Sequence, residues 1–412
     1  MRHTRLLFLA ALLATLLSIG CRNVASKPIA GPSPLPASAN SAPPRRLQVL
    51  TGKEVTFYPT YGYKDAKGWN INLRGWVHEN RPHLHKLLER ISKCSNVEMD
   101  NFRSRTADLL DDDKTFERVT IKFDSDPDDK AYVMSRSKSD GIVKLSLVLS
   151  EEKAAQLLAR QASPNGWLTY RSISGKHTGL GRVRLIAPDP NGISLVSDID
   201  DTIKITEIPA GKDIVLRNTF CVDFKPVREP DMAMKYREVG DIPVHYVSGG
   251  PEQMFGPLYD YLITGEGGFP EGTFHLKFFP KTLFSPETTR NLIDFIKSSL
   301  GVTYQHKLSE ITTLMERFPD RKFILVGDSG EVDPEVYSEI RKRRPAQVKE
   351  IWIRDVINDD ALNHFRLEGM TIIPVNTPVC VEDKHFAHLT AKIKEIYPTK
   401  TYQRNVSPPC GR

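Results

Sequence analysis

The stretch SLVSDIDDT, residues 194–202, puts three carboxylates (Asp198, Asp200, Asp201) into four positions directly after a run of strand-forming apolar residues. Two further polar clusters end apolar runs in the same way: Ser248-Gly249-Gly250 after VHYV, and Gly327-Asp328-Ser329-Gly330-Glu331-Val332-Asp333 after KFILV. Crowded carboxylates repel one another unless a cation sits among them, and hard oxygen donors with room for water suit Mg²⁺. Each cluster also has an ordinary explanation. Asp and Thr after a strand form turns or cap the next helix, which suits Asp201 in particular, and a serine in a glycine-rich turn is commonly structural. A helix-start lysine such as Lys307 is commonly a solvated charge. The run Gly327-Asp328-Ser329-Gly330 mimics a serine-protease nucleophile motif, but it ends a buried strand and precedes a helical pattern, which is the wrong setting for that chemistry.

The elements needed to bring the clusters together are legible in the hydropathy pattern. From Gly192 onward, near-continuous apolar runs (ISLV, VHYV, FHLKFF, KFILV, KEIWI, MTIIPV) alternate with helical patterns such as EQMFGPLYDYLI and KLSEITTLMERF. Strands buried on both faces and joined by helices predict an α/β fold with a doubly wound parallel sheet. In such sheets the active crevice lies beyond the carboxyl ends of the strands, where all three clusters fall. Residues 203–243 leave room for a small flap over that crevice and none for a large cap. Before Gly192 the texture differs: KEVTFYPTYGY, GWNINLRGWVH, RVTIKFD, GIVKLSLVL and GRVRLIA alternate with period two between turn signals, which predicts an antiparallel β-rich domain. One helix is expected there over 82–94, with Leu84, Leu87, Leu88 and Ile91 on one face. Trp69, Trp76 and Trp167 read as core of that domain, and His245, mid-strand, as a core histidine.

Lys and Arg number 57 against 51 Asp and Glu, for a formal net charge of +6 over 412 residues. With no basic run and no aromatic-interleaved basic patch, nucleic acid is not an expected partner. Arg2 and Arg5 precede an apolar run of roughly a dozen residues, shorter than the roughly twenty that span a bilayer, so residues 1–20 read as a secretory signal. The signal ends in LSIGC, similar to a bacterial lipobox, which makes Cys21 the expected lipidation site and residues 21–46, rich in Pro, Ala and Ser, a flexible tether. The implied location is the bacterial cell envelope, facing the periplasm or exterior, with membrane contact through the N-terminal lipid. The expected units are then 47–190, β-rich; 191–380, α/β; and 381–412, a C-terminal tail. Cys94, Cys221, Cys380 and Cys410 remain in an export compartment, where four cysteines allow three disulfide connectivities.

DIDDT fits the DxDx[TV] signature of haloacid dehalogenase superfamily phosphatases, and VHYVSGG, Lys307 and GDSGEVD follow in the order of its remaining motifs. SDIDDTIK, HYVSGGPEQMF, GFPEGTFHLKFF and FPDRKFILVGDSGEVDPEVY resemble, more narrowly, the Mg²⁺-dependent phosphatidate phosphatases of the actin-patch type, and YPTYGYKDAKGWNINLRGWVHE resembles the β-rich domain that precedes their catalytic domain. The resemblance implies a haloacid-dehalogenase-like sheet, Asp198 as nucleophile, Asp200 as general acid and base, and Lys307 as charge balance. It implies Ser248, Gly249 and Thr202 at the substrate phosphoryl group. Mg²⁺ would be held by Asp198, Asp200, Asp328 and Asp333, with Asp333 or Glu331 orienting a metal-bound water. The expected substrate is a lipid phosphate such as phosphatidate at a membrane surface. A general phosphomonoesterase and an inactive lipid-binding lipoprotein remain as alternatives.

Overall fold

The computed structural model describes residues 53–79, 94–174, 177–278, 299–404 and 410. The signal, Cys21, the tether and the helix expected over 82–94, apart from Cys94, lie outside the described residues. No helix among the described residues is long and apolar enough to cross a membrane.

The alternating segments form a ten-stranded sheet. Its longest strand, Gly68–Glu79, pairs antiparallel with Lys53–Phe57, Thr60–Asp65 and Ile142–Leu149. Period-two patterning works as expected in Arg118–Phe123, where Val119, Ile121 and Phe123 are buried and Arg118 is exposed. Two pairings are parallel, Leu180–Ile186 with Thr60–Asp65 and Lys53–Phe57 with His177–Thr178. Alternation fixes which face a residue occupies, not the direction of a neighbour that returns from far along the chain. Trp76 and Trp167 are buried; Trp69 packs against the core of the ten-stranded sheet, whereas Trp76 joins the cluster that holds Leu195, Ile324 and Val326 of the second sheet.

The apolar runs after Gly192 form a six-stranded sheet in the order Thr273–Lys277, Val244–Pro251, Ile193–Ser197, Lys322–Asp328, Val348–Asp355, Thr371–Pro374. Every neighbouring pair is parallel. Counted along the chain the order is third, second, first, fourth, fifth, sixth, so the winding reverses between Ile193–Ser197 and Lys322–Asp328. Successive residues leave the sheet on opposite faces. Val196, Phe323 and Leu325 pack with the helices Ser299–Arg317, Asp333–Arg343 and Asp383–Ile396, while Leu195, Ile324 and Val326 pack with Met232–Glu238 and Phe255–Tyr259. The stretch 381–412, expected as a tail, thus holds a helix whose Leu389 and Ile393 are buried in the core.

Between the first two parallel strands, Lys204–Ile205 pairs with Lys225–Pro226 in a two-stranded hairpin around short helical turns. The two large sheets touch: Phe274 N donates to Pro59 O at 3.1 Å, Arg317 Nη1 to Tyr63 Oη at 2.7 Å, and the Tyr61 ring packs edge-on to His245. His245 is fully buried, its Nδ1 lies 2.7 Å from Thr273 Oγ1, and burial pushes its pKa well down, as for a neutral core histidine. The disulfides pair Cys94 with Cys221 and Cys380 with Cys410.

Candidate active site

Ligands of open α/β sheets sit at the carboxyl ends of the strands where the winding reverses. Here those ends carry Asp198, one residue beyond Ile193–Ser197, and Asp328, the last residue of Lys322–Asp328. Asp198 N donates to Val326 O at 2.9 Å, which ties the first carboxylate to the fourth strand. Ile203 N and Lys204 N both return to Ile199 O at 3.0 Å, so the chain turns back within five residues. The turn needs a left-handed residue, supplied by Asp201 at φ 56°, a conformation Asp tolerates better than most side chains. The Asp201 carboxylate accepts the amides of Thr206 (2.8 Å), Glu207 (2.6 Å) and Ile208 (2.6 Å). It is therefore a cap, and a buried rather than a solvated one.

Three acids converge on one lysine. Lys307, fully buried on Ser299–Arg317, has its Nζ 2.8 Å from Asp198 Oδ1, 2.5 Å from Asp333 Oδ1 and 3.8 Å from Glu331 Oε2. Thr202 Oγ1 lies 3.2 Å from Asp198 Oδ2 and 3.4 Å from Asp328 Oδ2, bridging the two strand ends. Asp198, Asp328 and Glu331 each offer an oxygen within 4.8 Å of the others, and all three are buried. Asp333 faces elsewhere: besides Lys307 it accepts the amide of Asp328 at 3.2 Å, so its carboxylate braces the cluster from behind. Of the two acids the sequence could not separate, Glu331 stands with Asp198 and Asp328.

The electrostatics follow from burial. Asp198 and Asp328 are pushed well above the ordinary carboxyl range, first by desolvation and then by the charges of the neighbouring acids, Asp333 foremost, with Lys307 opposing this at Asp198. Desolvation raises Glu331 to about 7, against the pull of Lys307. Such a set is costly as it stands, since one lysine cannot offset four desolvated carboxylates. The hard-oxygen donor set of Asp198, Asp328 and Glu331 suits a small divalent cation. Asp200 behaves differently. It is half-buried, and its carboxylate accepts Thr206 Oγ1 at 2.6 Å and pairs with Lys204 Nζ at 2.7 Å; despite desolvation these partners hold its pKa down.

Ser248 sits two residues beyond the Ser197↔Tyr246 register, on the same sheet edge as Asp198, with its Oγ accepting the Gly250 amide at 3.0 Å. A Cβ on Gly249 would stand 2.7 Å from Thr303 Oγ1, so the glycine lets the Lys307 helix approach the strand. A Cβ on Gly327 would stand 2.4 Å from Asp333 Oδ2, and its absence makes room for that brace.

Residues 193–355 match the family model described as the catalytic domain of phosphatidate phosphatase APP1. The segment belongs to that family. A 168-residue stretch is 34% identical to phosphatidate phosphatase APP1 of Saccharomyces cerevisiae, covering 40% of this chain and 26% of that protein. A 204-residue stretch is 30% identical to an uncharacterized protein of Schizosaccharomyces pombe, covering 49% of this chain and 31% of that protein. The chain thus spans about a quarter to a third of the curated relatives it matches. A sialyltransferase from Photobacterium damsela overlays with a TM-score of 0.18 at 10% identity, over 59% of this chain and 38% of that one, too low to bear on the fold.

The matched bounds stop short of the residue that most constrains the Glu331 loop. Arg366 is fully buried; its Nε and Nη2 grip Glu335 Oε1 and Oε2 at 2.7 and 2.9 Å. Nη1 bonds Ser329 O at 2.9 Å and the Asp359 carboxylate, and Nη2 bonds Glu331 O at 2.7 Å. Nothing in the local sequence HFRLEG marks this role, because the partners come from three separate segments. Arg354, which donates to Asp201 O, is equally unmarked.

Proposed function

We propose that the chain is a phosphatase that hydrolyses a lipid phosphomonoester of the phosphatidate class on a haloacid-dehalogenase-like domain, with Asp198 as nucleophile. The carrying observation is the convergence of Asp198, Asp328, Glu331 and Lys307 at the winding reversal of a segment that matches the phosphatidate phosphatase APP1 catalytic domain. Asp198, Asp328 and Glu331 would hold Mg²⁺, together with the backbone carbonyl of Asp200. Bound there, the ion neutralises charge on the carboxylates and on the substrate phosphoryl group. Asp198 attacks phosphorus, forming an aspartyl phosphate and dividing one displacement into two. Lys307 holds the Asp198 carboxylate in place and balances charge; Ser248 offers a hydroxyl to the phosphoryl oxygens, and Thr202 keeps Asp198 aligned with Asp328. Asp200, paired with Lys204 and Thr206, is already set to take the proton of the water that hydrolyses the intermediate; donating to the leaving alcohol requires release from that pair.

Beyond the described residues, we propose export and lipidation at Cys21, which would hold the catalytic segment near headgroup phosphates through the tether and raise their effective concentration.

The test is phosphate release by the full chain from phosphatidate in mixed micelles and from soluble sugar and nucleotide monoesters. Phosphatidate should be preferred at least about tenfold in kcat/KM, a difference of about 1.4 kcal/mol. Asp198→Asn, nearly isosteric, should cut turnover at least about a thousandfold, and excess chelator should abolish it until Mg²⁺ is returned. Turnover retained by Asp198→Asn sinks the nucleophile assignment. Equal rates on soluble monoesters replace the lipid reading with a general phosphomonoesterase.

A further inference from the structure

A cleft of about 610 Å³ opens where the two large sheets meet, at the end of the parallel strands opposite Asp198. Its walls come from the segment around Trp167, the strand Leu180–Ile186, the helix Met232–Glu238 and the two loops that lead into Val244–Pro251 and Thr273–Lys277. Seven steps of mostly extended chain run from Asp241, in its wall, to Ser248 at the candidate active site, about 23 Å at 3.3 Å per residue.

Three guanidiniums line this cleft, Arg182, Arg184 and Arg237, against two carboxylates, Glu271 and Asp241. Arg182 Nη1 pairs with Glu271, while its Nε is buried with no hydrogen-bond partner. Arg184, buried, spends Nη1 on Ile242 O at 3.0 Å and reaches Asp241 Oδ1 with Nη2 at 3.4 Å. Arg237 is exposed at the rim and donates through Nη1 to Gly268 O. Below them Trp167 forms an apolar floor, with the Arg182 guanidinium 5.0 Å from its ring centroid. An orphaned cationic N–H in a partly desolvated wall is costly, and arginine forks match planar or tetrahedral oxyanions better than they match water. The positive excess draws an anion, and the cleft volume admits a phosphate group with a short organic body.

We propose that this cleft is a second, non-catalytic anion site that takes a phosphate group. The site is independent of the reading of the acid cluster as a phosphatase centre. The shared chemistry is the phosphoryl dianion; its source is either a soluble phosphate or the headgroup of an anionic lipid, and the experiment separates the two.

The full chain is titrated with inorganic phosphate by calorimetry in excess chelator, so that the acid cluster has no metal to recruit phosphate. In parallel it is sedimented with phosphatidylcholine vesicles with and without phosphatidate. Arg237→Gln removes a rim cation without disturbing the core, and Arg182→Gln with Glu271→Gln removes the half-buried pair together, leaving no unpaired acid. Millimolar phosphate binding that weakens at least about tenfold in both variants and is unchanged in Asp198→Asn supports a soluble-phosphate site. Phosphatidate-dependent sedimentation lost in both variants, without binding of free phosphate, supports a headgroup site. Three results overturn the proposal: no binding of either probe, binding untouched by both variants, or binding abolished by Asp198→Asn.

Discussion

Arg366 provides the sharpest test of how the site is held. Arg366→Met keeps most of the volume but strips the partners from Glu335 and Asp359, both almost fully buried, and frees the carbonyls of Ser329 and Glu331. Breaking one side of a buried ion pair typically costs about 3–5 kcal/mol, mostly for the charge left behind. At about 2–4 °C per kcal/mol for a domain of this size, the thermal transition should fall by roughly 6–20 °C. Adding Glu335→Gln and Asp359→Asn removes the stranded charges and should recover at least about half of that loss. If Arg366 positions the Glu331 loop, the recovered triple variant should still turn over slowly, because Gln and Asn do not restore the grip on the Glu331 carbonyl. Thermal melts by circular dichroism and phosphate release on the same samples read both effects. A melting point for Arg366→Met within about 2 °C of the parent would refute the energetic argument, and full turnover in the triple variant would refute the positioning role.

The remaining expectations are independent of that clamp. Arg171 donates Nε and Nη2 to Asp124 at 2.6 and 2.9 Å, and this hydrogen bonding holds the Asp124 carboxyl below its usual range. A depressed folded-state pKa contributes stability that is present above the unfolded value of about 3.9 and is lost as pH falls through the folded value. Because Arg171 is 61% exposed, Asp124→Asn should cost no more than about 1 kcal/mol at pH 7, and urea melts should show the gap closing below about pH 4. A gap that widens in acid would reverse the sign of the argument. Cys94–Cys221 closes 127 residues and Cys380–Cys410 closes 30, so chain entropy assigns about 5 and about 3.6 kcal/mol to them, and Cys94→Ser/Cys221→Ser should be the more damaging pair. Non-reducing peptide mapping that finds another pairing would overturn this. Cys21→Ser should move the protein from the membrane to the soluble fraction with loss of acyl mass; unchanged partition would reduce the N-terminus to an ordinary signal.

The carboxylates at the strand ends were legible because the signal is local. An apolar run long enough for a buried strand, followed at once by Asp198 or Asp328, already states that charge leaves the core at a sheet edge, and parallel sheets put their crevices there. The same locality made Asp201 readable as a cap and His245 as core. What the sequence left open depends on neighbours from distant segments. Asp333 and Glu331 are equivalent in GDSGEVD; they part only because Lys307 and the amide of Asp328 claim Asp333 through the gap that Gly327 leaves. Asp200 turns to Lys204 because the chain folds back on Ile199. The order of the parallel strands, the pairing of the cysteines, the grip of Arg366 and the arginine-lined cleft each join residues many positions apart. Hydropathy sets which side chains are buried, but burial alone does not choose partners; only packing of the whole chain decides which buried charges meet and which are left to bind something else.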